Sequence, residues 1–186
     1  MRRDIRDAVG GALVAASVST LGDFIWATWI TRHLPVYGLT HGTLLFLCLG
    51  LYLGACAGRT VIGAVLGALL GFLAARGFYV LAPLVGYSAM FVLWIGVWVG
   101  LGLINGTVLQ KHAGIQDALV RGSLAAVGSG IAFYAISGIW FPFHPRGWDY
   151  AVHFGAWTIA YLPGLLALLV HVESRRREDH EGTRNL

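Results

Sequence analysis

His41–Tyr79 reads HGTLLFLCLGLYLGACAGRTVIGAVLGALLGFLAARGFY. The stretch is almost wholly apolar and is broken at Arg59. Glycines stand at Gly50, Gly54 and Gly58 before the break, and at Gly63, Gly67 and Gly71 after it. A four-residue spacing lines each set along one face of a helix. In lipid, expulsion of water does not drive helices together. Association there rests on close packing, and small-residue faces let two backbones approach. The spacing predicts a tight transmembrane hairpin with its turn at Ala57–Val61.

The rest of the chain has the same character. It has 186 residues, 57% hydrophobic and 12% charged, with a mean hydropathy of +0.71. A soluble domain carries roughly 25% charged residues. Half that share, with long uncharged runs, describes an all-α polytopic membrane protein. The apolar segments are too many and too long for a cleaved leader. The net charge of +4 is no sign of nucleic-acid binding, because the arginines sit at segment ends. Cys48 and Cys56 lie eight residues apart, with neither redox-pair nor zinc-site spacing, and read as small packing residues.

Six segments approach the ~20 residues that a bilayer core requires: about 9–31, 39–58, 61–82, 87–109, 119–141 and 150–172. Positive charge orients them. One side collects Arg2, Arg3, Arg6, Arg59, Lys111, Arg121, Arg175–Arg177 and Arg184, and the other only Arg32 and Arg146. Both termini are therefore expected in the cytoplasm. Pro35, Pro83, Pro142 and Pro145 mark turns on the outer side. Trp26, Trp29, Tyr37, Tyr79, Tyr87, Trp140, Trp148 and Tyr150 read as an aromatic belt at that boundary. Residues 173–186 form a charged tail, expected to be disordered.

Three parts of the chain look alike. Each starts with a small-residue helix, reaches aromatics, turns at proline and re-enters. Gly11, Gly63 and Gly122 mark the starts, 52 and 59 residues apart. The expected architecture is six transmembrane helices as three repeated hairpins, about 9–58, 61–109 and 119–172, within one domain of residues 1–172. Ligand sites in repeat proteins of this kind often lie where the units meet.

Polar residues inside the spans are costly unless paired or wet, so each is a candidate for function. Asp23 and Arg76 occupy similar depths and similar repeat positions. They read either as an ion pair locking the first unit to the second or as a grip for a ligand headgroup. His41 and His153 sit alike near the outer ends of their helices, with His33, His144 and Asp149 in adjoining loops. They read as interfacial histidines bonded to loop carbonyls or as ligands of an outer-face metal, although no HxxxH or HxxE spacing accompanies them. Tyr134 stands at the repeat position of Asp23. Asn105 is expected to bond a neighbouring helix and Pro163 to kink the last one. There is no nucleophile elbow, phosphate loop or paired-carboxylate motif.

The architecture, together with Leu47–Phe78 (LCLGLYLGACAGRTVIGAVLGALLGFLAARGF), resembles the insulin-induced gene (Insig) family of sterol-sensing membrane proteins. In that family a small-residue run ends in an arginine-bearing turn and a second glycine-rich helix follows. The resemblance implies a non-enzymatic protein that binds a lipid, diacylglycerol- or sterol-like, in a cavity between six helices. The candidate ligand-binding residues are Asp23, Arg76, His41, Tyr134, His153 and Trp26. No cofactor or catalytic residue is expected. The expected partner is a membrane lipid, with a second membrane protein or a further copy of the chain beside it. The short chain, rich in arginine and alanine, reads as a bacterial plasma-membrane protein. Two other readings stay open: a small transporter or channel with its path at the repeat interface, and a metal- or haem-dependent enzyme built on His41 and His153.

Overall fold

The computed structural model describes residues 2–30, 35–110, 114–140 and 146–170. Arg32, His33, Lys111, Pro142, His144, Pro145 and the charged tail 173–186 lie outside the described residues. In lipid a backbone must satisfy its own polar groups, and long apolar runs do so as helices. The helices are α1 (Arg2–Trp29), α2 (Pro35–Cys56), α3 (Thr60–Val85), α4 (Ala89–Leu103), α5 (Ile115–Trp140) and α6 (Asp149–Leu169). A π-helical segment, Ile104–Leu109, extends α4. Counting that extension, all six are long and apolar enough to cross a membrane, in the order and close to the positions read from the sequence. Among the described residues there is no strand.

The α2–α3 hairpin forms the tightest seam. α2 ends at Cys56, Gly58 turns the chain with φ of 69°, and α3 starts at Thr60. This break falls inside the predicted turn. A left-handed φ strains any residue with a Cβ, so glycine suits this position. Gly42, Gly50 and Gly54 of α2 meet Gly71, Gly67 and Gly63 of α3 with backbone against backbone. A Cβ added at Gly67 would collide with the Phe46 carbonyl and lie 2.9 Å from the Gly50 Cα. The Arg59 guanidinium donates to the Val108 carbonyl, which ties the turn to the π-helical segment.

Each helix runs antiparallel to the next. Gly10 and Gly22 of α1 meet Tyr52 and His41 of α2, and Leu70 and Leu93 bridge α3 and α4 by packing on Gly100 and Gly77. Gly102 lies against Gly122 between α4 and α5, and Gly128 lies near Pro163 between α5 and α6. α6 returns to α1, so the six helices form a closed ring. Two of the expected units, α1 with α2 and α3 with α4, are the loosest neighbouring pairs, and the closest contact joins α2 to α3. The described chain begins and ends at the same end of the bundle, here called the Arg2 end. The opposite one is the Trp29 end.

Small residues also set the interior. α1 turns a buried stripe of Ala8, Ala12, Ala15 and Ala16 inward. Trp98 of α4 is 1% exposed and crosses to α6, where its indole occupies the space a side chain at Gly164 would need. Gly164→Val is therefore expected to displace Trp98 and destabilise the protein by about 1–3 kcal/mol. A thermal melt in mild detergent checks this, and an unchanged Tm would contradict the packing.

Some local expectations need correction. The sequence points to Pro83 as the stop of its helix, but α3 continues to Val85, and the turn is made by Gly86 with φ of 64°. α6 runs as one helix through Pro163. Pro35 is the first residue of α2, where its missing N–H and fixed φ suit a helix start. Asn105 is buried and donates from Nδ2 to the Leu168 carbonyl of α6 at 3.4 Å, as expected. Cys48 is half-buried, while Cys56 is exposed, and both are free thiols.

Candidate functional site at the Trp29 end

Three inward-facing stripes converge here. On α1 the buried positions Ala12, Ala15 and Ser19 lead, one turn later, to Asp23 and then to Trp26. On α2 the buried Leu53, Leu49 and Leu45 lead to His41. On α6 the buried Leu168, Leu165 and Tyr161 lead to Trp157 and His153. Helical periodicity thus carries Asp23, His41, Trp157 and His153 to one place.

Asp23 is the centre. Its Oδ2 accepts a hydrogen bond from Trp157 Nε1 at 2.7 Å and lies 3.2 Å from His153 Nδ1. A carboxylate only accepts, so with Asp23 ionised the His153 Nδ1 is the donor. The His41 ring lies against Gly22, filling the space a Cβ there would take. One turn deeper, Ser19 Oγ and Tyr161 OH are 3.0 Å apart and buried. The Asp23 side chain is 33% exposed and that of His153 12%. Among the described residues, Asp23 Oδ1 accepts no hydrogen bond.

An aromatic wall adjoins the carboxylate. Trp157 stacks on Phe133 of α5 at 5.7 Å between centroids and on Tyr161 at 5.7 Å. Phe133 stacks on Trp94 of α4 at 4.8 Å, and Trp94 lies 5.6 Å from Tyr161. The four rings close on one another. The Trp94 Nε1 donor is buried and has no partner among the described residues. The arrangement is a packed aromatic cluster, with Phe133 and Tyr161 buried, beside a hydrogen-bond acceptor.

Four of the six sequence candidates fall in this region: Asp23, His41, His153 and Trp26. The other two do not. Arg76 lies on the exposed side of α3 and makes no ion pair or hydrogen bond with the described residues. The Asp23–Arg76 pair is absent because Asp23 turns inward to α6 while Arg76 turns outward. Tyr134 is 69% exposed on α5 with its ring 5.9 Å from Phe91. Its neighbour Phe133 is the residue that faces the cluster. Sequence reasoning missed Trp157. The signal was available: Trp157 stands one turn after His153, on the same helix face.

Among the described residues no three His, Cys, Asp or Glu side chains are placed to hold a metal ion, and His33 and His144 of the outer-face metal reading lie outside those residues. Asp149 instead accepts a hydrogen bond from the Arg146 N–H at 3.0 Å near the start of α6.

A recess of about 340 Å³ opens at the Arg2 end. It is lined by Arg3, Asp4, Asp7, Cys56, Ala57, Leu109, Gln110 and Leu169. Its charges answer one another, Asp7 lying 3.9 Å from Arg3 and 3.6 Å from Arg6. Tyr52 OH donates to the Asp7 carbonyl at 2.9 Å. Comparison of the chain with protein-family models, with curated proteins and with solved structures finds no match.

Proposed function

We propose that this is a non-enzymatic membrane protein that binds a hydroxyl-bearing lipid, diacylglycerol- or sterol-like, between its helices at the Trp29 end. The observation that carries the reading is Asp23. It is a carboxylate inside a membrane-spanning helix, held on one oxygen by Trp157 and His153, with no hydrogen bond to the other oxygen among the described residues and the side chain one-third open. An ionised group at that depth is costly unless it has a purpose or a partner. A lipid hydroxyl is a natural donor to Oδ1, and the half-buried rings of Trp94 and Trp157 beside it suit an apolar body. His41 lies against Gly22 beside Asp23, and Trp26 stands about one turn further along α1. The Insig resemblance of Leu47–Phe78 points to the same class of ligand. In this reading the chain sits in a bacterial plasma membrane with both termini in the cytoplasm. Its three hairpins act as repeated units, and the helix seams hold the site in shape.

Native mass spectrometry of gently solubilised protein, with lipid extraction and metal analysis of the same sample, tests this. One copurifying neutral lipid per chain is the expected result. A protein that carries no lipid and takes up neither diacylglycerol nor a sterol would end the reading. A stoichiometric metal would move the function to His41 and His153.

A further inference from the structure

Arg76 is left unexplained by the site above. The two packing sides of α3 are clear. Gly63, Gly67 and Gly71 face α2, while Leu70 and Gly77 face α4. The remaining side carries Val65, Leu69, Phe72, Leu73 and Val80, all exposed, with Arg76 among them. α3 is also the least buried of the six spans, at 17% of its apolar window. Arg76 is nine residues short of Val85, about 13 Å along the axis from the helix end. A guanidinium thus meets hydrocarbon with no counter-charge among the described residues.

Charge and shape together identify what covers it. The counter-group must be an anion. A partner helix would need a small-residue face for close approach, yet the side chains around Arg76 are bulky aliphatics and a phenylalanine. Such a surface suits acyl chains. A guanidinium fork matches a phosphate through paired charged hydrogen bonds, and long basic side chains reach toward headgroups while bilayers thin around them.

We propose that Arg76 holds a membrane phospholipid by its phosphate on the lipid-facing side of α3, with the acyl chains lying along Leu69, Phe72 and Leu73. This site is separate from Asp23 and stands whether or not a neutral lipid binds there.

The test titrates phosphatidylglycerol into the purified protein in detergent and reads bound lipid by native mass spectrometry. Wild type is expected to retain one phosphatidylglycerol under activation that strips the others. Arg76→Gln should bind that lipid roughly tenfold or more weakly, and Arg76→Lys should fall between, because lysine keeps the charge and loses the fork. Asp23→Ala should keep the phospholipid, which separates this site from the neutral-lipid site. Inorganic phosphate should not displace the adduct. Arg76 is exposed, so both of its variants should melt with the wild type, which guards against loss through unfolding. Equal retention by Arg76→Gln and wild type would overturn the proposal. So would displacement by free phosphate, or loss of a copurifying protein instead of a lipid on Arg76→Gln.

Discussion

Gly67→Leu is expected to leave no folded monomer. At Gly67 the obstacle is the Phe46 carbonyl oxygen and the Gly50 Cα, both backbone atoms of the facing helix. Backbone cannot swing aside as a flexible side chain can. The two helices would have to separate, and the contacts along Gly42, Gly50 and Gly54 would go with them. Overpacking a core by a methylene or two costs about 1–3 kcal/mol, the range expected for Gly67→Ala. A leucine exceeds what any local shift accommodates. The matched control is Gly96→Leu, since nothing lies within 4 Å of a Cβ at Gly96. Size-exclusion chromatography and thermal melts in mild detergent compare the three variants. If Gly67→Leu elutes and melts like Gly96→Leu, the seam is not what joins α2 to α3.

Asp23→Ala carries the second large effect, on stability and on ligand together. It strands two donors, Trp157 Nε1 and His153 Nδ1, that now share Oδ2. Leaving a buried donor without its acceptor costs about 1–3 kcal/mol; both of these bonds are part-buried, so a total of about 2–4 kcal/mol is expected. Asp23→Asn keeps an acceptor oxygen in the same place and should lose less. If the proposed lipid site is right, both should retain less neutral lipid than the wild type, the alanine variant none. Arg76→Ala supplies the contrast. An Asp23–Arg76 ion pair would make the two single variants alike and their double variant non-additive. The geometry predicts that Arg76→Ala changes Tm little and that the effects add. Strong coupling between the two positions would refute the inward placement of Asp23.

These variants also separate what could be read in one dimension from what could not. Asp23, His41 and His153 were legible because polar groups stand out in apolar spans and need a reason to be there. The hairpin at Gly58 was legible because glycines four apart define a face without any knowledge of the partner. Arg76 and Tyr134 do not join Asp23, for one reason. Both were matched to Asp23 by position in the repeat, and each residue turns a helix by about 100°. Phe133 and Tyr134 differ by a single step, yet one stacks on Trp157 and the other is 69% exposed.

The sequence by itself determined that this chain is a bundle of six membrane-crossing helices with a glycine seam between the second and third. Length, hydropathy and local spacing are properties of a segment alone. Only the tertiary structure decided that α6 closes the ring against α1, and that Asp23 is therefore held by His153 and Trp157, 130 and 134 residues away in the chain. It also decided that Arg76 faces outward. Which way a side chain points depends on which helices flank its own, and that neighbourhood is set by the packing of the whole bundle.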